Sequence, residues 1–506
     1  MSRDGKRITV TMSDSAPQEI VDFIVALDGG TIKIIETHIS WVLLGRARAY
    51  KIKRAVRFPY LDFSTPQRRL DMCLREFALN RLYASALYLD VWRLVRNTKG
   101  EITYGSDGEL VDAVVVMRRF PDDALFDVMV REGRLSRELV EELARRIAQF
   151  HANAGADFTR GGVPAMTDSL DKAILALQAC GLADADETAA LAAGLRGALA
   201  AGASLLDRRR AQGAVRLCHG DLTLRNICLF EDAPTPFDCL EFSDDIATID
   251  VLYDLAFLLM DFWRARAPDL ANVAFNRYLD MRDESDGLPL LPFFLAFRAT
   301  IRAHVETSQN HRDTGRDYFD LATRLLTTSA PCVIAIGGLS GSGKSSLAAA
   351  LAPRIGGAPG ARILSSDRVR KALFGVASTA RLPAAAYTSA ISEKVYRTLF
   401  ASASAIVARG WPVIVDAVFD RPQDRAEIAN LALRAPAPFL GVWLEADLAS
   451  REARVAARIN DPSDATVDVL REQMKKDVGE IAWRRLSADA DIDDIAARVA
   501  AFSPVV

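Results

Sequence analysis

The chain is poor in everything that would place it outside a reducing compartment. Its six cysteines (Cys73, Cys180, Cys218, Cys228, Cys239, Cys332) form no C-x-x-C pair and no metal-ligand spacing. That argues against a disulfide framework and against a zinc cluster. No apolar signal core follows Met1-Ser-Arg-Asp-Gly-Lys-Arg7, so a secretory leader is not expected. The most apolar stretch, Val251 to Trp263, is interrupted by Asp254 and Asp261 and is too short for a bilayer. An excess of one charge is missing too: a net charge of −3 disfavours a basic nucleic-acid groove. No solenoid-period repeat is visible. The expectation is a cytoplasmic protein without membrane association and without an evident obligate protein partner.

At 506 residues the chain exceeds the size at which a single core stops growing, so two or three domains are expected. A short amphipathic helix from Gln18 to Leu27 ends at Gly29-Gly30. Strand-like runs follow at Ile32–Glu36, Ser40–Leu44 and Arg48–Lys53, then helical spacing from Thr65 to Leu87 and strand again from Ile102 to Arg119. Residues 124 to about 212 read as helical, broken at Gly161-Gly162 and Gly181. A strand-rich stretch runs from Val215 to Phe242, and helices fill most of Asp250 to Leu326. The polar Thr327-Thr-Ser-Ala-Pro331 is the best boundary, separating a domain over 1–326 from one over 331–506. Beyond it, strands near 332, 362, 412 and 439 alternate with helices, the pattern of a doubly wound parallel sheet. The fold class is mixed, α/β and α+β in two domains.

Gly338-Leu-Ser-Gly-Ser-Gly-Lys-Ser345 fills every fixed position of G-x-x-x-x-G-K-[ST]. It follows an apolar run and precedes the helix-forming Ser346-Leu-Ala-Ala-Ala-Leu-Ala352, the context a phosphate cradle requires. Gly338, Gly341 and Gly343 let backbone N–H groups, with those of Ser342 and Ser346, face phosphate oxygens. Lys344 reaches the β- and γ-phosphates and Ser345 holds Mg²⁺. A guanine-reading N-K-x-D is absent, which argues against a switch GTPase, and about 175 residues do not hold a long motor core.

A second signature sits earlier. His219-Gly-Asp-Leu-Thr-Leu-Arg-Asn226 has the Asp-to-Asn spacing of a protein-kinase catalytic loop. There Asp221 orients the attacking hydroxyl and Asn226 ligates Mg²⁺. Asp238, in Phe237-Asp-Cys239, stands where a kinase carries its second metal ligand, in competition with Glu241. It is preferred because it ends a strand. Upstream, Lys51 in Ala49-Tyr-Lys51 matches the phosphate-holding lysine of kinase strand three, and Glu76 on the following helix pairs with it. Taken singly, Lys51 and Lys53 read first as solvated strand residues; a turn-residue reading of Asp221 is disfavoured by the spacing to Asn226.

At these residues the first 325 positions resemble the aminoglycoside phosphotransferase family, which uses His-Gly-Asp and a later Asp-Leu-Ala, here Asp254-Leu-Ala256. The resemblance implies a kinase-like fold that binds ATP and phosphorylates small hydroxyl compounds. The departure is upstream of Lys51. No G-x-G-x-x-G is present, and Thr37-His-Ile-Ser40 takes its place, with His38 as readily structural as a ligand.

In the second domain, Ser365-Ser-Asp-Arg-Val-Arg370 resembles the Asp-x-x-Arg of polynucleotide kinases. The resemblance implies Asp367 as general base and Arg370 on substrate or developing charge; a helix cap is the competing reading for Asp367. Asp416 ends the strand Trp411–Asp416 and suits Mg²⁺ or a helix cap. A later helix carries Arg451, Arg454 and Arg458, ahead of Asn460-Asp-Pro-Ser-Asp464. In a mobile lid Arg454 and Arg458 would neutralise the transferring phosphoryl group; a solvated basic face is the alternative. This half resembles gluconate, polynucleotide and zeta-toxin-like kinases. Glu36–Trp41, Phe58–Phe63 and Ser365–Arg370 make the whole chain similar to bacterial bifunctional proteins that join the two domain types. The expectation is a two-headed kinase using ATP and Mg²⁺ on small-molecule hydroxyl acceptors, with nucleic acid disfavoured. The alternative is a regulatory first domain beside one active P-loop kinase. The acidic run Asp280 to Asp286 hints at cationic ligands.

Overall fold

Alternation along the strand Arg48–Lys53 decides the architecture of the first half. Tyr50 and Ile52 point to one face of the sheet and Ala49, Lys51 and Lys53 to the other. The computed structural model describes residues 17–58, 61–327, 330–458 and 461–503. The N-terminal heptapeptide and part of the expected junction before Pro331 lie outside these residues. By contact density the chain divides into two units. One comprises 1–143, 149–161 and 210–254; the other comprises 144–148, 162–209 and 255–506.

The first unit carries a six-stranded antiparallel sheet. Its spatial order is Lys33–Glu36, Ser40–Leu44, Arg48–Lys53, Glu109–Arg118, Tyr88–Arg96, Ile102–Tyr104. One face packs Trp41, Leu43, Tyr50 and Ile52 against Ile20 and Ile24 of the helix Gln18–Asp28, which ends at left-handed Gly29. The other packs Ala49, Val115 and Met117 against Leu70 and Cys73 of the helix Pro66–Ala84. That helix starts at Thr65, whose side chain accepts from the Arg68 N–H, with Pro66 in its first turn. Tyr88–Arg96 was not expected as a strand. Only its ends are buried, so its charged residues interrupt the apolar alternation that marks a strand. The expected run from Ile102 is two strands broken after Tyr104.

The strand-rich stretch from Val215 resolves into three short strands, Val215–Leu217, Ile227–Phe230 and Ala233–Pro236. Asp238 therefore does not end a strand. It lies just beyond one, in a loop, with a left-handed φ of 59°.

In the second unit five parallel strands run in the order Arg362–Ser365, Val413–Asp416, Val333–Gly337, Phe439–Glu445, Arg484–Ser487. Val333–Gly337 and Val413–Asp416 are buried throughout, as central strands of a two-sided sheet must be. Arg484–Ser487 was not anticipated; an exposed edge strand with one buried residue carries no apolar run. The carboxyl ends of four strands, Gly337, Ser365, Asp416 and Glu445, gather at one rim, where ligands bind in such sheets. Two helical stretches, Ala185–Ala211 and Ser285–Ser308, are long and apolar enough by composition to cross a bilayer. For the latter, 72% of the apolar window is buried inside the protein, as in a core helix.

Candidate active sites

Two lysines on one strand face meet one carboxylate. Lys51 Nζ lies 2.8 Å from Glu76 Oε1, and Lys53 Nζ lies 2.5 Å from Glu76 Oε2. Lys51 also pairs with Asp238, and Lys53 with Glu241. All are buried except the Asp238 side chain, which is 40% exposed. Burial alone would lower the Lys51 ammonium, but Asp238 and Glu76 hold it well above its ordinary value. Burial pulls Glu76 up, yet the two lysines keep it ionised below its ordinary value. Glu241 is different: enclosed with Lys53, it is pushed up by burial. Its carboxylate faces a lysine rather than an opening, which leaves Asp238 as the metal-accessible acid of the two. Neither lysine is solvated.

The catalytic loop hangs between short paired strands, Val215–Leu217 and Thr248–Asp250. Gly220 turns it with φ 81°, and a Cβ there would stand 3.0 Å from Leu240 Cβ. Asp254 braces it from below: Oδ1 accepts the Gly220 N–H at 2.8 Å and Oδ2 the His219 N–H at 3.3 Å. His151 Nε2 is 3.1 Å from the same Oδ2. Asn226 Nδ2 donates to Asp221 Oδ2 at 2.8 Å and to the Asp221 carbonyl at 2.9 Å. Asn226 Oδ1 accepts no hydrogen bond among the described residues and is open to a hard cation. Burial pulls Asp238 up, but Lys51 and Lys53 hold it below its ordinary value; the nearby Asp221 charge opposes them, so the two carboxylates share one electrostatic neighbourhood. Lys51, Glu76, Asp221, Asn226 and Asp238 are thus brought together. In place of a glycine-rich flap, Thr37 Oγ1 donates to the Ser40 carbonyl at 2.9 Å and accepts its N–H at 3.0 Å, closing a tight turn. His38 stacks on Phe58 at 4.5 Å.

In the second unit the phosphate loop has the expected backbone. Gly341 and Gly343 are left-handed at φ 80° and 90°, and a Cβ on Gly341 would meet the Arg451 carbonyl at 2.7 Å. Lys344 Nζ donates to the Leu339 carbonyl at 3.1 Å, a contact across the loop's own span. Burial lowers its ammonium, opposed by Asp416 and Asp367. Ser345 Oγ donates to Asp416 Oδ2 at 2.7 Å, so hydroxyl and carboxylate form an oxygen pair suited to Mg²⁺. Gly338 leaves room for buried Ser342; Ser346 is exposed in the first helical turn. The Ser340 N–H is held by Gln473 Oε1 at 2.9 Å.

Asp367 opens the helix Ser366–Leu373 and is pushed up by burial, with Ser463, Lys344, Arg370 and Arg458 acting the other way. Arg370 sits beside it but turns inward: Nη1 donates to the Ala386 carbonyl at 2.8 Å, and the guanidinium lies 4.8 Å over the Tyr387 ring. Arg454 reaches to within 3.8 Å of a Gly343 Cβ position, and its Nη2 donates to the Ala488 carbonyl at 2.9 Å. Arg458 lies 3.7 Å from Asp461. Arg451 is buried, its backbone against the loop at Gly341. Asn460 lies outside the described residues.

Sequence reading named Lys53 and Glu241 but missed their pairing: Lys53 shares Glu76 and Glu241 inside the protein, and only its two-residue offset from Lys51 places it on the same strand face. It also missed Asp464, which accepts from Lys371 Nζ at 2.6 Å, Leu382 N–H at 3.0 Å and Tyr387 hydroxyl at 2.5 Å. The acidic run from Asp280 does not await a cation. Asp280 pairs with Arg277 and Arg362, Glu284 with Arg209 and Arg282, and Asp286 with Arg209.

Two family models match the chain. Residues 47–289 match the model of the phosphotransferase enzyme family, and residues 333–477 match that of an AAA domain. Uncharacterized proteins of Mycobacterium tuberculosis (strain H37Rv) and Mycobacterium bovis are 29% identical over 453 residues, 87% of this chain and 88% of theirs. A choline/ethanolamine kinase family protein from Mesorhizobium loti is 15% identical over 60% of this chain and 91% of its own, with a TM-score of 0.38. The Mycobacterium tuberculosis APS kinase CysC is 20% identical over 35% of this chain and all of its own, with a TM-score of 0.27. The chain thus joins a region that matches the phosphotransferase enzyme family to a P-loop region that matches an AAA domain, and it is a phosphotransferase enzyme.

Proposed function

We propose that both regions transfer the γ-phosphoryl group of ATP to the hydroxyl of a small molecule, each with its own site. The observation that supports this best is that two complete sets of groups exist on unrelated scaffolds. One is Lys51, Glu76, Asp221, Asn226 and Asp238; the other is Lys344, Ser345, Asp367 and Asp416.

In the first site Glu76 fixes Lys51, whose ammonium grips the α- and β-phosphates. Asp221, oriented by Asn226, receives the hydrogen bond of the acceptor hydroxyl and aims it in line with the γ-phosphorus. In the second, the loop N–H groups and Lys344 hold the phosphate tail, Asp367 orients the acceptor hydroxyl, and Arg454 and Arg458 offset developing charge. Mg²⁺, held by Asn226 and Asp238 in one site and by Ser345 and Asp416 in the other, would neutralise phosphate oxygens. The balanced net charge favours small acceptors over nucleic acid. Five of the six free cysteines are buried, which suits a reducing cytoplasm.

The test is incubation of the full chain with labelled ATP and a metabolite extract. Two distinct labelled products are expected, one lost in Asp221→Asn and the other in Lys344→Ala. A product pattern that Asp221→Asn leaves intact would make the first region a binding or regulatory module.

A further inference from the structure

The strand Arg362–Ser365 is at the edge of the parallel sheet, where unpaired N–H and C=O groups need cover. Within the second unit that cover comes from the helix Pro268–Met281, which belongs to the stretch matching the phosphotransferase family. Asn276 Oδ1 accepts the Ile363 N–H at 2.7 Å, and its Nδ2 donates to the Ala361 carbonyl at 3.2 Å. Asn272 Nδ2 donates to the Pro359 and Ala361 carbonyls at 2.9 and 3.1 Å. Both asparagines are 2% exposed or less. Two side-chain amides therefore read the strand edge as a neighbouring strand would.

Farther along the same helix stands Asp280. Its Oδ1 lies 2.7 Å from Arg362 Nη1; its Oδ2 lies 2.8 Å from Arg277 and 3.7 Å from Arg368. Arg362 opens the edge strand, and Arg368 is in the first turn of the helix that follows it. Asp367 sits at the bend between those two arginines. One carboxylate thus ties both arms of the strand-to-helix turn to a helix outside the P-loop region.

We propose that Asp280 is a positioning residue for the P-loop site. By holding Arg362 and Arg368 it fixes the turn that presents Asp367, so a helix of the phosphotransferase-family region governs turnover in the other region. The inference rests on the reading that Asp367 orients the nucleophile. The phosphate loop with Lys344 and Ser345 follows a different strand, Val333–Gly337, and the ion pairs of Asp280 go to Arg277, Arg362 and Arg368 instead. Nucleotide affinity and turnover should therefore separate.

The experiment uses the full chain in a Lys51→Met, Asp221→Asn background, so that slow ATP hydrolysis, with water in place of the alcohol, reports the P-loop site. Lys344→Ala must abolish that hydrolysis; if it does not, the reading of the site fails independently of Asp280. Asp280→Asn and Asp280→Ala are expected to lower kcat about ten-fold or more while the Kd for a fluorescent ATP analogue stays within about two-fold. Asp280→Glu should recover most of the rate. Asn272→Ala removes the amide that covers the Pro359 and Ala361 carbonyls and contacts neither arginine, so it should lower Tm and leave kcat within about two-fold. The proposal is overturned if the Asp280 variants keep their kcat, if rate and nucleotide affinity fall together, or if Asn272→Ala loses as much rate.

Discussion

Lys51 and Lys53 divide the Glu76 carboxylate between them, one ammonium on each oxygen. Their outer partners differ. Lys51 continues to Asp238, 40% exposed, whereas Lys53 continues to Glu241, 4% exposed. The first lysine faces an opening and the second closes a buried network. Removing one member of a fully buried pair costs about 3–5 kcal/mol, because its partner's charge is left without compensation. Lys53→Met is therefore expected to lower stability by about that amount. Lys51→Met should cost less and should instead weaken ATP binding to the first site by about ten-fold or more. Thermal unfolding and ATP-analogue titration of the two variants check the ordering; the reverse ordering would reject it.

Asp254 holds two consecutive backbone N–H groups of the catalytic loop. Asp254→Ala leaves both amides buried without acceptors, at about 1–3 kcal/mol each. Asp221 would then lose its fixed bearing. Turnover in the first site should fall about a hundred-fold while ATP affinity holds, since Lys51 and Asp238 are carried by other segments. Equal losses of turnover and affinity would show that Asp254 supports the whole lobe rather than the loop.

Much of this was legible from local signals. The phosphate loop is contiguous, and Asp221 and Asn226 lie within one turn of chain, so spacing alone locates them. Lys51 is legible because Ala-x-Lys at a strand end matches a kinase's phosphate-holding lysine, and Glu76 because the next helix offers that lysine an acid. What escaped detection is set by distant partners. Glu241 is distinguished from Asp238 only by which of them meets Lys53 in the interior. Tyr88–Arg96 lacks alternation because its middle is open to solvent. Asp280 belongs to a run of acids whose partners, Arg209 and Arg362, lie far along the chain. Charge in a sequence says nothing of whether the fold has already paired it.

Asp464 gathers three donors from Lys371, Leu382 and Tyr387, and its neighbour Ser463 hydrogen-bonds Asp367. Lys371 is 1% exposed, and that carboxylate is its buried ionic partner. Asp464→Ala should unfasten the segment that follows the arginine helix and lower stability by about 3 kcal/mol. The P-loop site should become more open to proteolysis near residues 461–464, a change that saturating ATP suppresses in the wild type and not in the variant. Identical cleavage of the two proteins would exclude Asp464 as the fastening.

His304 provides the pH test. Burial, with Arg302 beside it, pushes its imidazole down to about 4 from 6.5. Below 6.5 the unfolded chain takes up a proton that the folded chain refuses, so stability falls as pH drops and the loss is complete near pH 4. About 2.5 units at 1.36 kcal/mol per unit set a ceiling of roughly 3 kcal/mol on this contribution. Above pH 7 the imidazole is neutral in both states and contributes nothing. His304→Gln cannot take up the proton and should lose less stability than the wild type between pH 7 and pH 4.5, with little difference at pH 7. Thermal unfolding at the two pH values measures it, and every other acid-sensitive group cancels in the comparison. Parallel curves for wild type and variant would mean that His304 binds its proton equally well in the folded and unfolded chain.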